Sequence, residues 1–164
     1  MDDEAQVLLR CLDAQRSHVL GVVEALGDEQ LRQATLPSGW NCVGLVNHLA
    51  VDVERFWFRA VMADEPGVWD GFRRDSSSAW DVGPDVAPGE VISLYKAEID
   101  AADSIVGSMA LGTTPAAWPD DLFGSFRLRD LEAIMLHVIT ETACHAGHLD
   151  AARELIDGRQ WMVL

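Results

Sequence analysis

The chain predicts an all-α fold, a four-helix bundle, and three observations carry that expectation. Apolar residues recur at helical spacing in four separate stretches. Sustained period-two alternation bounded by turn signals is missing. Each stretch is about twenty residues or longer, the length of a bundle helix.

The first helix is expected from Asp3 to Leu26, with Leu8, Leu12, Val19, Val22 and Val23 on one face and Gly27 as its stop. The second starts after Asn41, whose side chain suits an N-cap, and turns Leu45, Leu49, Val53, Phe56 and Ala60 inward. The third has Pro88 in its first turn, where the missing N–H costs nothing. Its seam is Val91, Ile92, Tyr95, Ile99, Ala102 and Ile105. The fourth runs from Arg129 to Ile156, with Gly158 as the C-terminal stop. Between the second and third helices, residues 64–87 form a Gly-, Pro- and Ser-rich connection that carries Trp69, Phe72 and Trp80. A structureless connection of that length is unusual without a task, and the two tasks considered are a lid and an aromatic pad over one end of the bundle. Trp118, Phe123 and Phe126 decorate the next connection, residues 112–128.

At 164 residues and 49% hydrophobic composition, the chain is read as one domain, 1–164. A net charge of −15 repels phosphate backbones, so nucleic acid is not an expected partner. No apolar run approaches the ~20 residues of a membrane span. The acidic start Met1-Asp2-Asp3-Glu4 lacks the basic and apolar regions of a secretory signal, so a cytoplasmic location is expected. Cys11, Cys42 and Cys144 form no CxxC pair and are read as buried small hydrophobes.

The chemistry concentrates on the fourth helix. At about 100° per residue, His145 lies almost on the apolar direction, Glu141 roughly 60° to one side, His148 about 80° and His137 about 100°, while Asp150 points away. Glu141 and His145, four apart, are neighbours able to converge on one point. On the second helix His48 interrupts the apolar stripe between Leu45 and Leu49, with Asp52 one turn further and Arg55 and Arg59 flanking. If the two helices adjoin, His48, Glu141 and His145 supply two nitrogens and one oxygen, a set suited to zinc, nickel or ferrous iron. Spacing alone leaves this reading level with a plain buried ion pair between Glu141 and His145. His18, with no partner in view, is expected on the surface, and partial exposure is expected for His137. HExxH, a paired Glu-x-x-His set, GxSxG, a P-loop and GxGxxG are all missing, which removes zincins, di-iron bundles, common hydrolases and nucleotide folds.

Two motifs carry a resemblance. Pro37-Ser38-Gly39-Trp40-Asn41 followed by Gly44-Leu45-Val46-Asn47-His48-Leu49-Ala50 resembles the second-helix opening of the DinB/YfiT-like superfamily. The run from His137 to Asp150, with Arg153 to Gly158 after it, is similar to the last helix of an uncharacterised bacterial branch of that superfamily. The resemblance implies a four-helix bundle with a divalent metal held by three side chains, usually all histidine. It carries His48, Glu141 and His145 over as ligands, with a glutamate where the middle histidine is usual. That His/Glu/His set is similar to the one in mycothiol-dependent maleylpyruvate isomerases, whose second domain has no counterpart before Leu164, so their specific reaction is not expected. The resemblance further implies a metal-dependent thiol S-transferase-like enzyme that uses mycothiol or bacillithiol, or water, on a small-molecule substrate, with zinc as the leading metal and a homodimer as the expected assembly. Arg55 or Arg59 is expected to hold an anionic group, with Trp40 and His148 lining the pocket. A non-catalytic small-ligand sensor and a metal-free bundle acting through dimerisation are the alternatives.

Overall fold

The computed structural model describes residues 3–74 and 78–161. Its long helices are α1 (Asp3–Glu24), α3 (42–62), α5 (Pro88–Ser108) and α7 (Leu131–Asp157), and the short ones are α2 (Asp28–Leu31), α4 (Val68–Arg74) and α6 (Asp120–Phe123). No strand occurs among the described residues, so the all-α bundle is the fold. None of these helices is long and apolar enough to cross a membrane.

Helix ends follow local chemistry. The Asn41 side chain accepts from Gly44 N at 2.9 Å, that of Asp130 from Ala133 N at 3.0 Å, and Gly158 closes α7 at φ 76°. Gly27 does not end the first helix as expected. It opens α2, in extended conformation, and its N–H donates to Gln30 Oε1 at 3.0 Å. No basic residue occupies the last turn of α1. Arg153 of α7 supplies the cation instead, donating to the Gly21 carbonyl at 3.2 Å and to that of Val22.

That contact, with His18 Nε2 3.0 Å from Asp150 Oδ2, sets α1 parallel to α7. His48 against His145 and Trp57 against His137 set α3 antiparallel to α7. Ala117 N reaches the Val61 carbonyl and Leu131 N the Thr113 carbonyl, so α3 and α5 both finish where α7 begins and run parallel. Parallel neighbours need a connection that traverses the bundle. Residues 63–87 are that crossover.

Helix α3 is buried almost all round. Over Leu49–Met62 it widens into i→i+5 hydrogen bonding, far longer than the usual single-turn π-bulge. Along this stretch Asn47, Val51, Arg55, Arg59 and Ala63 are half-buried, as are His48 and Asp52, while the residues between are buried. Half-buried positions thus recur every four residues, and their polar members, Asn47, His48, Asp52, Arg55 and Arg59, make a polar stripe along α3.

Several expectations are corrected by neighbours the sequence does not reveal. His18 is buried, bonded to Asp150 and stacked on Trp161, because α1 covers a second face of α7; for the same reason Asp150 faces α1 and not solvent. Cys11 and Cys144 are exposed, and only Cys42 is buried. On α5 the deepest line is Val91, Tyr95, Glu98, Ala102 and Val106, with Ile92, Ile99 and Ile105 only partly covered. Charged side chains share the core. Arg16 grips Glu54 through two 2.7 Å bonds, Nε to Oε1 and Nη2 to Oε2, and reaches Asp103 from Nη1 at 2.7 Å, tying α1, α3 and α5 together.

Candidate metal centre

His48 stands where α3 changes pitch, and its ring is fixed from two sides. Nδ1 lies 2.8 Å from Asp52 Oδ2, one turn on, and the ring face stacks on Trp80 at 4.5 Å and 21°. A carboxylate acceptor assigns the ring proton to Nδ1 and leaves the Nε2 lone pair available. Histidines that ligate metals are oriented in this way by an outer carboxylate. The crossover supplies Trp80, held close because Gly44 has no side chain: a Cβ there would collide with the Trp80 carbonyl. Asn47 Nδ2 adds a bond to the Ala79 carbonyl at 2.8 Å.

His145 meets His48 edge-on, with ring centroids 5.0 Å apart and planes at 78°. Its Nε2 is 3.7 Å from Glu141 Oε2, and its Nδ1 is buried with no hydrogen-bond partner. Burial pushes its pKa below the ordinary imidazole value; the nearby His48 and His148 push the same way, and Glu141 opposes them. The imidazole is thus held towards its neutral form, the form that ligates metals.

Two donors at about 2.1 Å from a tetrahedral ion stand about 3.4 Å apart. The 3.7 Å between His145 Nε2 and Glu141 Oε2 is near that chord and too long for a hydrogen bond. The set of two imidazoles and a carboxylate, one imidazole already backed by Asp52, fits a borderline divalent cation. Among the described residues, however, no three His, Cys, Asp or Glu side chains converge tightly enough to hold an ion as they stand. The Glu141 side chain is 41% exposed and has room to swing.

Trp40 and His148, expected to line the pocket, lie 6.3 Å apart, with His148 5.6 Å from His145 and Trp40 6.4 Å from Trp80. Arg55 and Arg59 lie elsewhere on the stripe and already have partners. Both donate to buried Glu98, at 2.7 Å from Arg55 Nη2 and 3.0 Å from Arg59 Nη1, and Arg59 also grips Glu65. His137 is half-buried against Trp57 at 4.8 Å, and burial lowers its pKa. Two clefts open beside the site. The larger, about 870 Å³, is bordered by Asn47, Asp52, Arg55, Asp70, Ser78 and Asp81. The smaller, about 420 Å³, runs from His48, Asp52 and Glu141 to a set of aromatic rings. Trp80, read from the sequence as part of a lid or an aromatic pad, stacks on His48 itself, and Asp52 is its carboxylate partner, for which a carboxylate four residues after a helical histidine was the readable signal.

Residues 7–158 match the family model described as mycothiol-S-transferase. The chain belongs to the mycothiol-S-transferase family. That family is DinB/YfiT-like, in agreement with the resemblance of the two motifs. The match runs from the first turns of α1 to Gly158 and takes in His48, Glu141 and His145 together. No curated protein and no solved structure matches the chain.

Proposed function

We propose that the protein is a divalent-metal-dependent thiol S-transferase, with His48, Glu141 and His145 as the ligands, zinc the leading metal, and a hydrophilic thiol of the mycothiol type as co-substrate. The observation that carries the proposal is the contrast between the two histidines. His48 has its Nδ1 committed to Asp52, and His145 is held towards its neutral form 3.7 Å from Glu141. An ion pair requires a protonated His145, whereas metal ligation requires a neutral ring with a carboxylate near the donor chord. The Nδ1-anchored His48 and the lowered pKa of His145 favour ligation over the ion pair, and the 3.7 Å separation suits either.

Bound there, a divalent cation supplies the positive charge that lowers the pKa of a thiol. The protein's own groups do the rest. Asp52 keeps the His48 proton on Nδ1, Trp80 holds that ring flat against the crossover, and the larger cleft offers amide, hydroxyl and carboxylate groups to a hydroxyl-rich thiol. In the transfer, the sulfur electron pair forms the new bond to an electrophilic carbon, and the bond from that carbon to its leaving group breaks with its own pair. The thiol proton leaves through His148, the exposed ring nearest His145, to water. The test is elemental analysis of protein purified without an affinity tag, followed by turnover of electrophiles with a panel of thiols. One equivalent of metal in the parent, its loss in His145→Ala, and thiol-dependent consumption of the electrophile are expected. Full metal occupancy in His145→Ala would sink the assignment, and binding without consumption would favour a sensor.

A further inference from the structure

The 420 Å³ cleft is built unlike its neighbour. Phe56 stands edge-on to Trp57, Phe72 and Phe123, with centroids 5.1, 5.2 and 5.9 Å away. Trp57 and Phe123 lie parallel, 14° between planes, and His137 closes the set. Aromatic walls of this kind favour another ring, which finds both faces and edges to pack against. The polar groups of the cleft gather at one end, where His48, Asp52 and Glu141 border it. Its charged lining, among the side chains described, is two carboxylates, Asp52 and Glu141. An anion entering would lose water and meet like charge. The volume suits a ligand of one or two fused rings.

We propose that this slot seats the uncharged aromatic ring of the acceptor substrate, with the ring among Phe56, Trp57, Phe72 and Phe123 and the reacting carbon at the His48–Glu141 end. The two clefts share Asp52 and Phe72, so a thiol in the polar cleft and an acceptor in the aromatic slot meet beside Asp52. Arg55 and Arg59, the cations expected to hold an anionic group, are neutralised by Glu98 and do not border the slot. Only the identification of the ligand as the acceptor rests on the thiol-transfer reading; the slot and its preference stand on the lining alone.

Calorimetric titration of the full chain, both zinc-loaded and treated with chelator, tests the slot with 2-naphthol and its anionic relative 2-naphthoate. A single site for 2-naphthol in both forms is expected, at least tenfold tighter than 2-naphthoate in the chelated protein. Phe123→Ala should weaken 2-naphthol at least fivefold. Leu122→Asp, at a residue 64% exposed beside the slot, adds a charge without touching the core and should weaken it as well. Ser78→Ala, in the other cleft, should leave it unchanged. No saturable binding, equal or tighter 2-naphthoate, or indifference to both slot variants would overturn the proposal. Because the chelated protein is titrated too, loss of the metal reading leaves this result intact, and failure here leaves the metal reading intact.

Discussion

Replacing Asp52 by Asn isolates the role of the outer carboxylate. The 2.8 Å contact with His48 Nδ1 fixes which ring nitrogen carries the proton and aims Nε2. Loss of such a partner typically costs 10–100-fold in metal affinity. Two features place this site at the low end. The Asp52 side chain is 40% exposed, so water takes part of its place, and an asparagine oxygen still accepts the Nδ1 proton while losing only the charge. The expected loss of zinc affinity is therefore about tenfold, or about 1.4 kcal/mol. Competition against a chelating dye at pH 7.5 measures it, with thermal unfolding as a check on the fold. Since Asp52 acts only through His48, Asp52→Asn added to His48→Ala should cause no further loss. Affinity within twofold of the parent, or an additional drop in the double variant, would refute the reasoning.

Arg16→Met strands Glu54, 1% exposed, beside Asp103 and Asp13 and should cost about 5 kcal/mol, whereas Glu54→Gln leaves Arg16 paired with both aspartates and should cost about 3; urea midpoints at constant slope give both, and the reverse order would contradict the network. Burial pushes the Cys42 thiol up to about 11, so a thiol reagent should titrate only exposed Cys11 and Cys144 in the native protein at pH 8 and all three cysteines after unfolding. Gly44→Ala should push Trp80 off His48, weakening zinc binding more than it lowers the melting temperature in relative terms; unchanged affinity would separate the tryptophan from the site. Burial depresses the pKa of His137, so just below the ordinary imidazole pKa of about 6.5 the unfolded chain binds the extra proton and the folded one does not. Stability should fall as pH drops through that value and level off below the depressed folded pKa, and His137→Phe should flatten the slope of the urea midpoint against pH.

Asn41, Pro88 and Gly158 mark helix boundaries by chemistry confined to a few residues, and each acts where its local sequence implies. The apolar period likewise placed Leu45, Leu49, Val53 and Phe56 in the core. Failures begin where burial depends on a partner far away in sequence. Arg16, Glu54 and Glu98 look like surface charges in isolation, yet each sits in the core because its counter-ion comes from another helix. His18 and Asp150 are 132 residues apart, and neither carries a local sign of the other. At the candidate site, the helical angle singled out His145, and its four-residue relation to Glu141 was open to reading. The His48–His145 approach needed the antiparallel pairing of α3 with α7, which helix patterns alone do not specify.

Topology and chemistry are linked through the crossover. Because α3 and α5 run parallel, residues 63–87 must return the chain along the bundle, and the return passes over the polar stripe of α3. A short antiparallel turn would have left His48 open to solvent on that side. The crossover instead places Trp80 on one face of the imidazole and uses Gly44 to come close enough, while Asp52 holds its edge. The same passage divides the space beside the stripe into a polar cleft bordered by Ser78 and Asp81 and an aromatic one bordered by Phe123 and Trp57, meeting at Asp52 and Phe72. One connection thus orients His48, the candidate ligand, and separates two clefts of opposite character. A reaction that joins a hydrophilic thiol to an apolar acceptor needs those two surfaces to meet beside an oriented ligand.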